Sequence, residues 1–185
     1  MDVANRRVTE LAINAIDPQP GEHLLDAGCG TGAAMAQILD RANCRVSGVD
    51  HSHEMLLAAG RRLARRRHGI AADLHWGQLE SLPFADASFD AVLALNVLYF
   101  ADREGQTLSS LRRVLRPGGR LVAYVTHRET MRHWSFAQAG LHQMFDEQEM
   151  IDALMAGGFA RERICVQAVW VMRSIKGLVL SLIHI

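Results

Sequence analysis

Residues 24–32 read Leu24-Leu25-Asp26-Ala27-Gly28-Cys29-Gly30-Thr31-Gly32, an apolar run that gives way to glycines at every second position. Such a run suits a buried strand, and the glycines permit a tight turn that lets backbone approach a ligand closely. Met35, Ile38 and Leu39 then recur at the spacing of a helix that buries one side. Strand, glycine turn and helix in that order open a βαβ unit.

The alternation extends in both directions. Ala4, Val8, Leu11, Ala12 and Ala15 predict a helix closed by Pro18 and Pro20. Arg45 to Val49 predicts a second strand ending at Asp50. Ser52 then caps a helix whose Leu56, Ala59 and Leu63 share a face, with Gly69 as its stop. Leu74 to Trp76 and Phe89 to Leu95 read as strands. Leu108, Leu111, Val114 and Leu115 stripe a helix ending at Pro117-Gly118-Gly119. Leu121 to Val125, a helix over 147–155 stopped by Gly157-Gly158, and Ile164 to Val171 complete the series. This order predicts an α/β domain with a mainly parallel sheet covered on both faces.

Glycine spacing alone leaves two cofactors open, because Gly28, Gly30 and Ala33 also satisfy the dinucleotide pattern. Asp50 is equally shared, since a carboxylate there can accept two ribose hydroxyls. Asp26 separates the readings. A carboxylate at the mouth of the turn repels a pyrophosphate, whereas it attracts the ammonium and sulfonium of S-adenosylmethionine (SAM). The plainer alternative is that Asp26 only accepts hydrogen bonds from loop amides.

Four segments in order resemble class I SAM-dependent methyltransferases, especially the broad type 11 group acting on small molecules. They are Leu24 to Gly32; Val49-Asp50-His51-Ser52; Gly77-Gln78-Leu79-Glu80-Ser81-Leu82-Pro83-Phe84 with Ser88-Phe89-Asp90; and Arg113 to Val122. The likeness runs from about Pro20 to Gly158. It implies a Rossmann-like three-layer sandwich whose antiparallel last strand inserts beside the fifth. It also implies that Asp26, Gly28, Gly30 and Thr31 line the methionine half of SAM, that Asp50 holds the ribose and that His51 packs beside the adenine. Gln78 and Leu79 occupy adenine-contacting positions, with Gln78 standing where the family usually has aspartate. Leu95 and Asn96 would face the methyl group and acceptor.

Methyl transfer from an activated sulfonium demands chiefly near-attack geometry. A general base is needed only where the acceptor must lose a proton. His127, His133 and Tyr99 are the candidates, each with the plainer reading of a hydrogen-bonded or surface side chain. Trp134, Phe136 and Met144 either wall an acceptor pocket or pack beneath a long connection.

Composition narrows the partners. The chain has 185 residues, 49% hydrophobic and 22% charged, with zero formal net charge. That suits one soluble domain and provides no global field for nucleic acid or anionic membrane. Arg61, Arg62, Arg65, Arg66 and Arg67 are read as a solvated helix end rather than a nucleic-acid patch. Asn96-Val97-Leu98-Tyr99 also differs from the Asn-Pro-Pro-Tyr motif of enzymes that methylate bases or protein glutamine. Cys29, Cys44 and Cys165 are scattered, and no cluster has metal-site spacing. With no apolar leader or membrane-length run, the expected setting is the cytoplasm.

Leu180-Ser181-Leu182-Ile183-His184-Ile185 match the translation of a transposon-end adapter used in sequencing libraries. They are read as a scar on a domain spanning residues 1–179, which truncates the last strand; the alternative is an ordinary apolar strand. The leading functional reading is a SAM-dependent methyltransferase of a small molecule. An NAD-dependent oxidoreductase and a non-catalytic, methyltransferase-like binding protein are its rivals.

Overall fold

The computed structural model of the protein describes residues 2–65, 72–102, 104–138 and 142–183. In chain order the elements are α1 (Asp2–Ile16), β1 (His23–Ala27), α2 (Ala33–Arg41), β2 (Arg45–Asp50), α3 (His53–Leu63), β3 (Ala72–Trp76) and β4 (Phe89–Leu95). They continue with α4 (Gln106–Val114), β5 (Leu115–Thr126), α5 (Arg128–Met131), α6 (Ser135–Gln138), α7 (Glu147–Ala156), β6 (Ile164–Met172) and β7 (Ile175–Ile183). The seven strands form one sheet ordered β3-β2-β1-β4-β5-β7-β6, parallel from β3 to β5 and antiparallel at β7 and β6.

Side chains alternate across each strand, and the two faces bury separate cores. Leu24, Val46, Leu93 and Val122 meet Ile13 and Ile16 of α1 and Met35 and Ile38 of α2. On the opposite face Leu25, Val49, Val92 and Ala123 meet Leu108 and Leu111 of α4 and Met150 and Leu154 of α7. The result is a three-layer sandwich. Ser52 caps α3 by accepting the Met55 amide at 3.3 Å, and Asp146 with Glu149 forms a reciprocal capping box on α7.

Two boundaries differ from expectation. The α4 helix ends at Val114, and Pro117 to Gly119 fall inside β5. They form an excursion there, since Phe89 pairs with Leu115 while Ala91 pairs with Arg120. At the other end, β7 runs through Ile183 and pairs with both β5 and β6 over residues 180–182, so these residues take part in the fold. Leu180 and Leu182 are 0% and 1% exposed. Gly69, Arg66 and Arg67 lie outside the described residues, as does the side chain of Phe136. Among the described residues no helix is long and apolar enough to cross a membrane.

Candidate functional site

Strand order reverses between β1 and β4, and the connections from their carboxyl ends diverge to α2 on one face and α4 on the other. A crevice at that switch point is where open α/β sheets bind ligands. Gly28, Gly30 and Gly32 all take positive φ there, at 77°, 51° and 70°. At Gly28 a second constraint applies: a Cβ would stand 2.3 Å from Cγ1 of Val97. The Gly28 and Cys29 amides donate to the Val49 carbonyl at 2.8 and 3.0 Å, which ties the turn to the end of β2.

Asp50 completes that tie. Its Oδ2 accepts the Gly30 amide at 2.8 Å and its Oδ1 the Ser52 amide at 2.9 Å. Each oxygen keeps one lone-pair site, so the carboxylate is held rigidly with acceptor capacity to spare. Asp26 is 2% exposed, and its Oδ2 is buried with no hydrogen-bond partner. Burial first, then the charge of Asp50, push its carboxyl up to about 7, against a lowering hydrogen bond from the Met35 amide.

A cavity of about 630 Å³ opens beside Asp50, lined among the expected residues by Gly28, Asp50, His51, Gln78 and Leu79; Asp26 and Gly30 lie behind this wall and do not line it. Met55, Glu80, Val97, Phe100 and Thr107 also contribute, and no lysine or arginine does among the described residues. A wall with two carboxylates and no cation suits a cationic or neutral ligand and disfavours a pyrophosphate.

Other expected residues stand elsewhere. Thr31 is exposed, and Arg62 of α3 donates to its carbonyl at 2.9 Å and to its hydroxyl at 3.4 Å. Leu95 packs against the cores beneath α1. Asn96 takes φ 56° at the end of β4, an uncommon conformation for a non-glycine residue. Its Oδ1 accepts the Tyr99 hydroxyl at 2.7 Å. That hydroxyl also accepts the Thr126 amide at 2.7 Å and lies 3.1 Å from the Thr126 hydroxyl, and burial raises its pKa. A group so engaged is a poor proton acceptor.

His127 is 3% exposed and caps α5: its Nδ1 accepts the Glu129 amide at 3.1 Å, which leaves the proton on Nε2 for Glu147 at 3.0 Å. His133 is exposed and receives the Arg132 guanidinium at 3.2 Å. Trp134 and Met144 pack partly buried against the main core. Cys29 packs its sulfur against Gly48, and burial beside Asp26 and Asp50 raises its thiol pKa strongly, so it is no nucleophile. Among the described residues no group of three or more histidine, cysteine or acidic side chains could hold a metal ion.

A family model described as "Methyltransferase domain" matches residues 25–123. An O-methyltransferase of Pyrenophora dematioidea is 31% identical over 121 residues, 65% of this chain and 45% of that protein. The malonyl-[acyl-carrier protein] O-methyltransferase of Pseudescherichia vulneris is 31% identical over 191 residues, 97% of this chain and 73% of that protein. The chain spans 34–54% of the length of the first curated relatives it matches. The geranyl diphosphate C-methyltransferase of Streptomyces coelicolor A3(2), a structure with Mg2+, geranyl diphosphate and S-adenosyl-L-homocysteine, shares the fold. Its TM-score is 0.79 at 16% identity, covering 98% of this chain and 81% of that one. The glycine turn, its carboxylate partners and these matches place the chain in the class I SAM-dependent methyltransferases.

Proposed function

We propose that this chain binds SAM at the carboxyl ends of β1, β2 and β4 and methylates a small-molecule acceptor. The observation that carries this reading is the buried, unpartnered Oδ2 of Asp26. Leaving such an atom unpaired is costly, and an ammonium group supplies what it lacks. Asp50, gripped by two amides, retains lone pairs for a ribose diol, while His51, Gln78 and Leu79 border the adenine end.

Bound SAM supplies a sulfonium methyl carbon open to in-line displacement, in which the acceptor's lone pair forms the new bond and the S–C electron pair returns to sulfur. The protein's share is positioning. Asp26 and Asp50 fix the two ends of the cofactor, and Asn96 is held by Tyr99 at the end of β4. His127 and Tyr99 are occupied by structural hydrogen bonds, so the geometry favours transfer without a dedicated base from either. Relatives named O-methyltransferase and geranyl diphosphate C-methyltransferase support a small-molecule acceptor.

Calorimetric titration with SAM, S-adenosylhomocysteine and NAD tests the cofactor; tight NAD binding without a SAM response would overturn it. Incubation with methyl-labelled SAM and a metabolite extract tests the transfer. Label in a small molecule is expected, whereas binding without any transfer would indicate a non-catalytic binder.

A further inference from the structure

Trp76 ends an edge strand and is 54% exposed, yet its indole is engaged on both its polar and its ring faces. Its indole N–H donates to the His51 carbonyl at 2.9 Å. The indole also stacks on the His53 ring, with centroids 5.7 Å apart and planes 11° apart. Trp76 lies in register with Asp50, and the next amide, Gly77, donates to the Asp50 carbonyl at 3.2 Å. A Cβ at Gly77 would meet Pro83 at 2.9 Å and Val49 at 3.1 Å, so that backbone is tightly packed. His51, whose side chain is 84% exposed, forms part of the cavity wall.

We infer that Trp76 is a positioning residue for the cofactor's adenosine end, its indole N–H fixing the His51 backbone at the cavity wall against the tightly packed 76–77 segment. This rests on the SAM reading of the cavity. The role belongs to the indole nitrogen as distinct from the ring, because a ring alone stacks on His53 without reaching the carbonyl.

Trp76→Phe keeps a stacking ring and removes the donor. Titration with S-adenosylhomocysteine and with 5′-methylthioadenosine, which share adenosine but not the amino-acid end, reads the effect. Both affinities are expected to fall about three- to tenfold, the scale of one neutral hydrogen bond, with the melting temperature lowered by no more than about four degrees. Affinities within twofold of wild type, a loss confined to S-adenosylhomocysteine, or a parallel collapse of the melting temperature each overturn the inference. A wild-type protein that binds neither ligand overturns the SAM reading as well, so the two failures are distinguishable.

Discussion

Asp26 and Asp50 share one face of neighbouring parallel strands, and the charge of Asp50 reinforces burial in raising the Asp26 carboxyl to about 7. In the unfolded chain an aspartate titrates near 4, as a rough reference. Between these values the folded protein keeps a proton that the unfolded chain has lost. This group's contribution to stability is therefore greatest below about pH 4 and is lost as pH rises through about 7. On the proposed role of Asp26, cofactor binding needs the ionised form. S-adenosylhomocysteine should bind progressively more weakly below pH 7 in calorimetry, while 5′-methylthioadenosine, which lacks the ammonium, keeps a flat profile. Asp26→Asn should raise the melting temperature of the ligand-free protein at pH 8 by several degrees and abolish the pH dependence.

Gly28→Ala and Gly30→Ala should differ. Both place a side chain at positive φ, at a cost of about 1–2 kcal/mol. Only Gly28 adds a clash with Val97, whereas a Cβ at Gly30 meets nothing within 4 Å. Chemical denaturation should show Gly28→Ala losing roughly 1–3 kcal/mol more. Adding Val97→Ala should restore part of the difference.

Asp50→Asn turns one of the two amide-accepting atoms into a donor facing a backbone N–H. A stability loss of about 1–3 kcal/mol is expected. Affinity for S-adenosylhomocysteine should fall at least about tenfold, because the same group would also hold the ribose. Retained affinity would argue against Asp50 as a cofactor ligand.

His127→Ala removes a buried cap and the contact to Glu147. Denaturation should register a loss of about 1–3 kcal/mol. Affinity for S-adenosylhomocysteine should stay within about twofold, since a change of that size is well under one kcal/mol. An unchanged stability with lost methyl transfer would instead restore His127 as a catalytic base.

Deleting residues 180–185 takes Leu180 and Leu182 out of the core, about 3–6 kcal/mol of burial before any lost strand pairing. Circular dichroism melts should show a much lower or absent cooperative transition. We propose that these residues derive from an adapter, a reading that a genomic frame encoding them would sink. The natural residues at 180 and 182 are then expected to be apolar.

The sequence made the glycine turn, the Asp50 position and the Ser52 cap legible because each is a local pattern with a local physical cause. The contacts that set Thr31 and Tyr99 were not legible. Arg62 grips Thr31 from 31 residues away, and Tyr99 meets Thr126 across 27, distances at which spacing carries no signal. Arg62 illustrates the difficulty, since within its basic run it reads as a solvated cation. Met55 of α3, Phe100 of the β4–α4 connection and Thr107 of α4 reach the cavity wall from separate parts of the chain, so spacing gives no signal for them either. Pro117-Gly118-Gly119 misled the boundary of α4 because turn residues also serve an excursion inside a strand.

The insertion of β7 between β5 and β6 has a consequence for the order of folding. Among the described residues strand β6 has no neighbour in the sheet other than β7, and the two are joined across only residues 173–174. The pair is thus a local hairpin that meets the parallel half, β3 to β5, through β7 alone. Until that hairpin docks, the inner edge of β5 lies open to any other strand.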